Sequence, residues 1–304
     1  MSAGATVLVT GARGFIGQTL LALAQREGAG HTFVGVDYED ADLRDREATL
    51  RLLQRVKPER VVHLAGKLVK GESAEVLREQ MEHTFQAGTV LLGAALETGV
   101  QHVLIAGTID EFGSRGGVLS PTDQAEPVSY YGLAKALLRE YAAFFARNRG
   151  MRIDWFRPFT AYGPGQAAGN MLLPVAFRAA KSGKPAQFTD GSQQRDFIHV
   201  ADIAGWLLRA LEIPLGHGPG ALSLHHLGSG HATSVRAVLE AIAAEFPGAQ
   251  FELGALPRRP GEPSVQIAPA YESAEVSLKG WRPEREWRAG ITETALWWKS
   301  KDAV

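Results

Sequence analysis

The pair with the clearest chemical potential is Tyr131 and Lys135, which stand four residues apart in a predicted helix. Side chains at this spacing project from the same helical face. A tyrosine of pKa about 10 must drop by about 3 units, or about 4 kcal/mol, to exchange protons near neutrality. One ammonium about 4 Å away contributes about 4 kcal/mol at an effective dielectric of about 20. The pair can therefore serve as a general acid or base, although the same spacing is common on solvated helix faces.

A glycine-rich turn near the start of the chain predicts a phosphate-binding site. The apolar residues 6–10 run into Gly11, Gly14 and Gly17, and a helical pattern follows over Phe15–Glu27. Gly11 permits a tight bend, Gly14 lets a pyrophosphate approach the backbone, and Gly17 lets the helix pack closely on the sheet. Glycine-rich turns occur in many loops. This turn follows a predicted strand and precedes a helix N-terminus, and that context favours the binding of a dinucleotide.

An acidic residue indicates which dinucleotide to expect. Asp37 follows the second apolar stretch, residues 32–36. It stands about 20 residues after the last glycine, where a carboxylate accepts hydrogen bonds from ribose hydroxyls. A carboxylate there repels a 2′-phosphate, so we expect NAD(H) as the favoured cofactor. Arg13, inside the turn, can neutralise Asp37 or meet a phosphate, which keeps NADP(H) possible.

The composition excludes several classes of function. The chain has 304 residues and a net charge of −1, so no global field attracts nucleic acid or a membrane surface. It has no cysteine, which excludes disulfides and thiolate metal sites and fits a reducing cytoplasm. No segment resembles a signal peptide or approaches the ~18 apolar residues of a membrane span. We expect a cytoplasmic protein without metal, nucleic acid or membrane partners.

Strand and helix patterns alternate through the first half of the chain, as in a doubly wound parallel sheet. The predicted strands are residues 6–10, 32–36, 60–64, 102–106 and 152–156. We therefore predict an α/β protein with a Rossmann domain over residues 1–165, to which some later segments return. A smaller C-terminal α/β substrate lobe is predicted over residues 166–304.

In this order, the glycine turn, Asp37, residues 63–66, Thr108 and the Tyr131/Lys135 pair resemble the extended short-chain dehydrogenase/reductases. The similarity is to their nucleotide-sugar, NAD-dependent epimerase/dehydratase group. It continues through residues 157–165, 190–200 and 259–262, which resemble the family's strand-five turn, its substrate-domain motif and its Arg-Pro-Gly-Asp signature. The similarity thus extends across nearly the whole chain.

The resemblance implies hydride transfer between a nicotinamide and a sugar carbon, with Tyr131 moving the hydroxyl proton and Thr108 bonding the same oxygen. The catalytic candidates are Thr108, Asp110, Glu111, Tyr131 and Lys135. The cofactor-binding candidates are Gly11, Arg13, Gly14, Phe15, Ile16, Gly17, Asp37, Asp42, Leu43, Leu64, Ala65, Gly66, Lys67, Ala106, Tyr131, Lys135 and Pro158. The substrate-binding candidates are Lys70, Thr108, Thr160, Asn170, Arg195, Arg259 and Glu262.

The implied substrate is a nucleoside-diphosphate sugar, because planar guanidinium groups such as those of Arg195 and Arg259 bind diphosphate oxygens in bidentate fashion. The implied assembly is a homodimer through helices around residues 84–96 and 131–147. Its contact candidates, unless they face the sheet, are Leu91, Leu92, Ala95, Leu138, Ala142 and Phe145. A non-catalytic nucleotide sensor is the alternative from another class, but such relatives commonly lose the tyrosine or lysine.

The loop after residue 106 bears on the reaction. A 4,6-dehydratase of this family needs an acid directly after the threonine; Ile109 stands there, although Asp110 could mimic the base. The run from Thr108 through Glu111 to Gly113 resembles that of 4-ketoreductases acting on 4-keto-6-deoxyhexoses, so we expect such a reductase. Residues 67–73 instead resemble a loop of the family's 4-epimerases, which makes a 4-epimerase with tightly held NAD the alternative.

Overall fold

The computed structural model describes residues 4–69, 71–166, 169–213, 221–270 and 281–301. The strands are β1 (Thr6–Thr10), β2 (Thr32–Val36), β3 (Arg60–His63), β4 (His102–Ala106), β5 (Gly117–Val118), β6 (Arg152–Pro158), β7 (Thr160–Tyr162), β8 (Ala186–Phe188), β9 (Gln194–Arg195), β10 (Phe197–His199), β11 (Leu222–Leu227), β12 (Thr233–Ser234), β13 (Phe251–Leu253) and β14 (Val265–Ile267). The α-helices are α1 (Phe15–Glu27), α2 (Arg46–Val56), α3 (Ala74–Gln80), α4 (Ala87–Glu97), α5 (Tyr130–Arg149), α6 (Leu172–Ser182), α7 (Val200–Glu212), α8 (Val235–Glu245) and α9 (Trp287–Ser300).

The chain divides into two compact units that interleave in sequence. The first comprises residues 1–113, 121–158 and 204–225, and the second comprises residues 114–120, 159–203 and 226–304. Residues 114–120 and 159–165, which the sequence suggested for the first domain, therefore fall in the second unit. Residues 204–225 return to the first because they continue its sheet through β11.

The first unit is built on a sheet of strand order β11-β6-β4-β3-β1-β2. The pairs from β2 across to β6 are all parallel. Since β1 lies between β2 and β3, the strand order reverses at this point, and open α/β sheets bind ligands beyond the carboxyl ends of such strands. This arrangement confirms the predicted doubly wound Rossmann class.

Strand boundaries follow the apolar sequence pattern closely. β1, β2 and β4 have the predicted bounds, whereas β3 ends at His63 and β6 continues to Pro158. Parallel strands covered on both faces are continuous apolar runs, and Val7, Leu8 and Val9 are indeed fully buried. β11 went unpredicted because its sequence, LSLHHL, carries two histidines and no uninterrupted apolar run.

The helical stretch from α3 to α4 has a break in its α-helical hydrogen-bond pattern. α3 and α4 are joined by a π-helical turn at Met81–Gln86. Such turns are rare among helices in general but are often found at functional sites. The extra residue changes the direction in which the neighbouring side chains project from the helix. His83, in this turn, lines the cavity described below.

The second unit contains smaller sheets and its own core. Its largest sheet has the order β12-β9-β14-β5, and β10 pairs with β7 and β13 with β8, both in parallel. The core includes Phe177, Leu239 and Trp298, which are at most 1% exposed. Asp196, fully buried, ties three loops together by accepting bonds from the backbone N–H groups of Ser229, Gly230 and Ala268.

Within the described ranges, no helix is both long enough and apolar enough to cross a membrane.

Candidate active site

The glycine turn has the close backbone approaches that the sequence predicts. Gly11 has φ +70°, and a Cβ on it would lie 2.8 Å from the backbone nitrogen of Ala65. A Cβ on Gly17 would lie 2.3 Å from the carbonyl oxygen of Gly11. Gly14 is the N-cap of α1 and offers no side chain there. The turn therefore leaves the helix N-terminus open to a phosphate, as a dinucleotide requires.

Asp37 is held in place at the carboxyl end of β2. Its carboxylate accepts from the backbone N–H of Arg13, with N–O distances of 3.0 and 3.3 Å. The Arg13 guanidinium lies 3.7 Å from Asp37 and 3.1 Å from Glu39. Two carboxylates thus share Arg13, which leaves Asp37 fixed where ribose hydroxyls can reach it.

A cavity lies beyond the carboxyl ends of β1, β2 and β3. Predicted cofactor residues that line it are Gly11, Gly14, Asp37, Asp42, Leu43, Leu64, Ala65, Gly66 and Lys67. Sequence reasoning missed further lining residues, namely Thr10, Val36, Tyr38, Ala41, Arg44, His83 and Ala87. Tyr38 and Arg44 directly follow predicted residues and could have been suspected. His83 could not, because the π-helical turn that aims it is invisible in the apolar pattern.

One side of this cavity is polar and internally paired. Asp42 accepts from the Arg44 guanidinium at 2.8 and 3.0 Å. This hydrogen bonding lowers the pKa of Asp42 and raises that of Arg44. Burial, followed by the nearby Arg44 charge, lowers the pKa of His83, whose Nε2 lies 3.3 Å from Arg44. The adenosine end of a dinucleotide would therefore contact polar side chains that are held in place by hydrogen bonds to one another.

Beneath the cavity, His63 is a buried neutral group. Its Nδ1 lies 2.8 Å from the hydroxyl of Thr10, which also accepts from the backbone N–H of Ala65 at 3.3 Å. Burial, followed by the Lys135 charge, lowers the pKa of His63 to about 3. The imidazole can accept a hydrogen bond from the Thr10 hydroxyl, so His63 joins the ends of β1 and β3.

Thr108 begins a short 3-10 turn, Ile109–Phe112, at the carboxyl end of β4. Its hydroxyl accepts from the backbone N–H of Asp110 at 3.2 Å, and its own N–H donates to Glu111 at 3.0 Å. This is a reciprocal capping box, which fixes both the backbone and the side chain of the capping residue. The hydroxyl proton of Thr108 remains available to a ligand oxygen.

Tyr131 and Lys135 occupy the first turns of α5. Ser129 caps this helix by accepting from the backbone N–H of Gly132 at 3.1 Å. The Lys135 ammonium donates to the carbonyl of Ala106 at 2.6 Å and lies 5.9 Å from the centroid of the Tyr131 ring. A Cβ on Gly66 would lie 3.8 Å from the same ammonium. Lys135 therefore connects the tyrosine with the strand ends that line the cavity.

Burial shifts both groups of the pair. It lowers the pKa of Lys135 to about 8, and the Glu111 charge opposes that change. Burial, followed by the charges of Asp110 and Glu111, raises the pKa of Tyr131 above its ordinary value. Proton abstraction by Tyr131 consequently depends on positive charge close to its hydroxyl, and Lys135 is the cation that the chain itself provides.

Glu111 does not occupy the open position that a group acting on a sugar requires. Its side chain is fully buried, and its Oε2 lies 2.9 Å from both Nε and Nη2 of Arg157. Its Oε1 accepts from the indole of Trp155 at 3.1 Å. The direct catalytic role predicted for Glu111 stays a prediction, and this burial gives it no support because the carboxylate is bonded to Thr108, Trp155 and Arg157. Asp110, by contrast, is exposed.

Most of the remaining predicted residues of the first unit lie at the ends of helices and strands. Phe15 and Ile16 begin α1, Ala106 ends β4, and Pro158 ends β6. Lys67, on the cavity wall, pairs with Glu79 at 3.1 Å. Lys70 lies outside the described residues.

The second unit brings together three of the predicted substrate-binding groups. Glu262 accepts from the Arg195 guanidinium at 2.8 Å and lies 3.5 Å from that of Arg259. Arg195 also donates to the carbonyls of Gln194 and Pro263, and its side chain is only 12% exposed. The Arg259 side chain is 78% exposed. Arg259 is therefore the member with free capacity for an anion.

Thr160 and Asn170 lie apart from this group along the chain. The backbone N–H of Thr160 donates to the carbonyl of Asp196, in the pairing of β7 with β10. Asn170 is exposed shortly before α6. Across the described part of the chain, no cluster of three or more histidine and carboxylate side chains forms a metal site.

Comparisons with known proteins agree with this geometry. The profile of the "NAD dependent epimerase/dehydratase family" matches residues 7–220. The UDP-glucose 4-epimerase of Rhizobium meliloti (strain 1021) is 30% identical over an alignment 329 positions long, gaps included, which covers 97% of each chain.

Two solved structures carry the same fold. The Thermus thermophilus UDP-glucose 4-epimerase in complex with NAD has a TM-score of 0.81 and 25% identity, covering 97% of this chain and 99% of that one. MoeE5 in complex with UDP-glucuronic acid and NAD has a TM-score of 0.81 and 27% identity over the same shares.

The family match spans the strands, the glycine turn and the Tyr131/Lys135 helix, and the cavity at the β1/β3 reversal has the backbone clearance that a dinucleotide needs. The predicted nicotinamide cofactor and family are thereby confirmed. The chain belongs to the NAD-dependent epimerase/dehydratase family and is an enzyme whose cofactor is NAD.

Proposed function

We propose that this enzyme is a 4-epimerase of a uridine-diphosphate hexose. The observation that carries the proposal is the similarity to a UDP-glucose 4-epimerase along 97% of both chains. The chain also has Thr108, Tyr131 and Lys135, so it retains the groups that proton transfer at the sugar requires.

The reductase expected from the sequence has weaker support than this alternative. That expectation rested on the resemblance of the run from Thr108 through Glu111 to Gly113 to the corresponding run of 4-ketoreductases. Because the Glu111 carboxylate is buried against Arg157, the motif no longer argues for a group that acts on the sugar. The 4-epimerase named among the relatives is then the better supported reaction.

In the proposed reaction, Tyr131 takes the proton of the C4 hydroxyl while the Thr108 hydroxyl bonds to the same oxygen. Bound NAD supplies the reversible acceptance of hydride at C4. Lys135, whose ammonium donates to the carbonyl of Ala106 and lies 5.9 Å from the centroid of the Tyr131 ring, is the cation that we assign to favour the ionised form of Tyr131 during the transfer. After the keto sugar rotates, Tyr131 and Thr108 would return the proton to the C4 oxygen, and the hydride held by NAD would go back to the opposite face of the C4 carbon.

The NAD would be held by Gly11, Gly14, Gly17 and Asp37, with Asp42 and Leu43 at its adenine end. Bound NAD must stay in place during the reaction, because its hydride returns to the same sugar. The tight contacts of Gly11 and Gly17 and the fixed Asp37 suit such retention. Extraction of the purified protein with denaturant should release NAD in near-stoichiometric amount.

The proposal is tested by incubating the purified protein with UDP-glucose, without added cofactor, and following UDP-galactose by NMR. Epimers should interconvert to equilibrium. In a parallel reaction, a 4-keto-6-deoxy nucleotide sugar and NADH are supplied. Stoichiometric loss of nicotinamide absorbance there, together with no interconversion in the first reaction, would contradict the epimerase and support the reductase.

Substrate recognition by the second unit is tested separately. We propose that Arg259, steadied by Glu262, binds the diphosphate, with Arg195 completing the local charge. Arg259→Ala should raise KM for the nucleotide sugar by about 10-fold to 100-fold, the loss of one charged hydrogen bond. The control is Arg236→Ala, an exposed arginine on α8. Equal KM values in the two variants would remove Arg259 from the binding site.

A homodimer through α4 and α5 stays a prediction, but its contact residues change. Leu91, Leu92, Ala95, Leu138, Ala142 and Phe145 are buried within the first unit. The apolar side chains that these helices expose are Leu96, Leu137 and Phe144. Light scattering at micromolar concentration should show a dimer, and Leu137→Asp with Phe144→Asp should give a monomer.

A further inference from the structure

A buried ion pair lies directly behind Thr108. Glu111 and Arg157 are both fully buried, and each makes more than the one contact. Arg157 also donates to the carbonyl of Pro121 at 3.1 Å, and its guanidinium lies 4.9 Å from the centroid of the Phe112 ring. Breaking such a pair leaves a charge uncompensated in the interior, so its geometry is strongly determined.

The pair reaches Thr108 through one oxygen. Glu111 Oε1 accepts both the backbone N–H of Thr108 and the indole N–H of Trp155, while Oε2 faces Arg157. Trp155 and Arg157 are two residues apart on β6, so they point to the same face of the sheet. The carboxylate thus joins Thr108, the second residue after β4, to two donors on the neighbouring strand β6.

Close packing removes the remaining freedom of this turn. A Cβ on Gly107 would lie 2.2 Å from the Trp155 indole nitrogen and 2.7 Å from Glu111 Oε1. At the other end, a Cβ on Gly132 would lie 2.3 Å from the carbonyl oxygen of Asp110. The turn is therefore pressed between β6 and the first turn of α5, next to Tyr131.

We infer that Glu111, with Arg157 as its counter-ion, is a positioning residue that holds Thr108 at the distance from Tyr131 needed for proton transfer. The inference rests on the proposed function, because it assigns Thr108 to the reacting hydroxyl. Glu111 contacts no reacting atom and acts through the backbone of Thr108. A misplacement of about 1 Å in a catalytic group can cost about 100-fold in rate.

The test is a double-mutant cycle on the NAD-bound enzyme with UDP-glucose. Glu111→Gln should lower kcat by about 10-fold to 100-fold while KM stays within about threefold. Thr108→Val should also lower kcat, and the double variant should be no slower than the slower single variant. Multiplicative losses would overturn the inference, because Glu111 would then act independently of Thr108.

A matched control separates positioning from general destabilisation. Asp154 is another buried carboxylate on the same sheet, bonded to His102 and His225. Asp154→Asn should lower the melting temperature at least as much as Glu111→Gln yet keep kcat within about twofold at a temperature where both are folded. Equal kcat losses would overturn the inference. If Glu111→Gln does not fold, Arg157→Lys takes its place and should show the same split between kcat and KM.

A measurement without substrate distinguishes this inference from the proposed function. Hydrogen–deuterium exchange of the peptide covering residues 107–113 reports the Thr108 N–H bond to Glu111. Uptake should rise in Glu111→Gln and not in Asp154→Asn. Unchanged uptake would overturn the positioning role even if the wild type is an epimerase. Absence of epimerisation by the wild type would sink the proposed function alone.

Discussion

Strands β4 and β6 carry a buried carboxylate cluster near each end, and the two clusters differ in what they hold. Near the carboxyl ends, Glu111 joins Trp155 and Arg157 to the backbone of Thr108. Near the amino ends, Asp154 lies 2.5 Å from His102 Nε2 and 2.7 Å from His225 Nε2.

The two clusters obey the same rule for buried charge. Both carboxylates are at most 2% exposed, and each is matched by donors. Although burial opposes it, hydrogen bonds from His102 and His225 hold the pKa of Asp154 below its usual range. Burial lowers the pKa of His102 more than Asp154 raises it. The Asp154 cluster therefore ties β4, β6 and β11 together without contact with a catalytic candidate.

The comparison shows that burial and partner count do not distinguish a functional carboxylate from a structural one. What distinguishes the two carboxylates is the group to which each is hydrogen-bonded. Glu111 is hydrogen-bonded to the backbone of Thr108, whereas Asp154 is hydrogen-bonded to histidines inside the sheet. We call the Glu111 cluster the carboxyl edge and the Asp154 cluster the amino edge. Changes at the carboxyl edge should alter turnover, and changes at the amino edge should alter stability.

The largest effect is expected at the tyrosine of the carboxyl edge. Tyr131→Phe removes only the hydroxyl, and turnover should fall by about 10² to 10⁴ with NAD affinity within a few-fold. Tyr130→Phe is the matched control, since its hydroxyl donates to the carbonyl of Glu72 at 3.1 Å. Steady-state kinetics of both variants decide the matter. Near-normal turnover in Tyr131→Phe would exclude it from the mechanism.

The next effect concerns the amino edge. Asp154→Asn removes the charge that faces Arg152, His102 and His225, and the free energy of unfolding should fall by about 3 kcal/mol. Chemical denaturation measures the loss, and turnover should stay unchanged. A loss of turnover at full folding would mean that the two edges are coupled after all.

A smaller effect is expected at Gly107, where both properties should change together. Gly107→Ala places a methyl group 2.2 Å from the Trp155 indole nitrogen, so the turn must shift at a cost of about 1–3 kcal/mol. Turnover should fall with it. Gly93→Ala in α4, which has nothing within 4 Å of its Cβ, is the control and should be neutral or slightly stabilising. Equal denaturation midpoints would contradict the close packing behind Thr108.

The smallest effect is a pH dependence of stability. The pKa of His63 is lowered to about 3 from an ordinary 6.5, so the unfolded state binds more protons between these values. Stability is therefore lost as pH falls below about 6.5, by about 2 kcal/mol at pH 5. The free energy of unfolding, measured with urea at pH 7, 6 and 5, should fall less steeply with decreasing pH in His63→Gln than in the wild type. His231→Gln, a change at an exposed histidine, is the control. The same pH dependence of the free energy of unfolding in His63→Gln and in the wild type would show that His63 is not the group that titrates.

Much of the first unit was predictable because its signals are local. Apolar runs set β1, β2 and β4 to the residue, since the strands of a parallel sheet are rich in apolar residues. Glycine positions announced the turn at Gly11, because close backbone approach excludes any side chain. The i, i+4 spacing placed Tyr131 and Lys135 on one helix face.

The tertiary structure alone decided what depends on contacts between distant parts of the chain. Arg157 and Trp155 stand more than 40 residues from Glu111, and nothing in the local sequence joins them. His83 reaches the cavity only because a π-helical turn re-aims it. The division into units likewise depends on the return of residues 204–225 to the sheet.

The role of Glu111 shows this limit most clearly. By itself, the sequence determined the fold class and the nicotinamide cofactor, and it predicted the Tyr131/Lys135 pair, because each is encoded by residue type at fixed short spacing. It could not tell a carboxylate that faces the ligand from one that faces an arginine, because side-chain direction in a short turn is set by packing against another strand. Burial against Arg157 is a tertiary fact, and it is the observation from which we infer a positioning role for Glu111 behind Thr108.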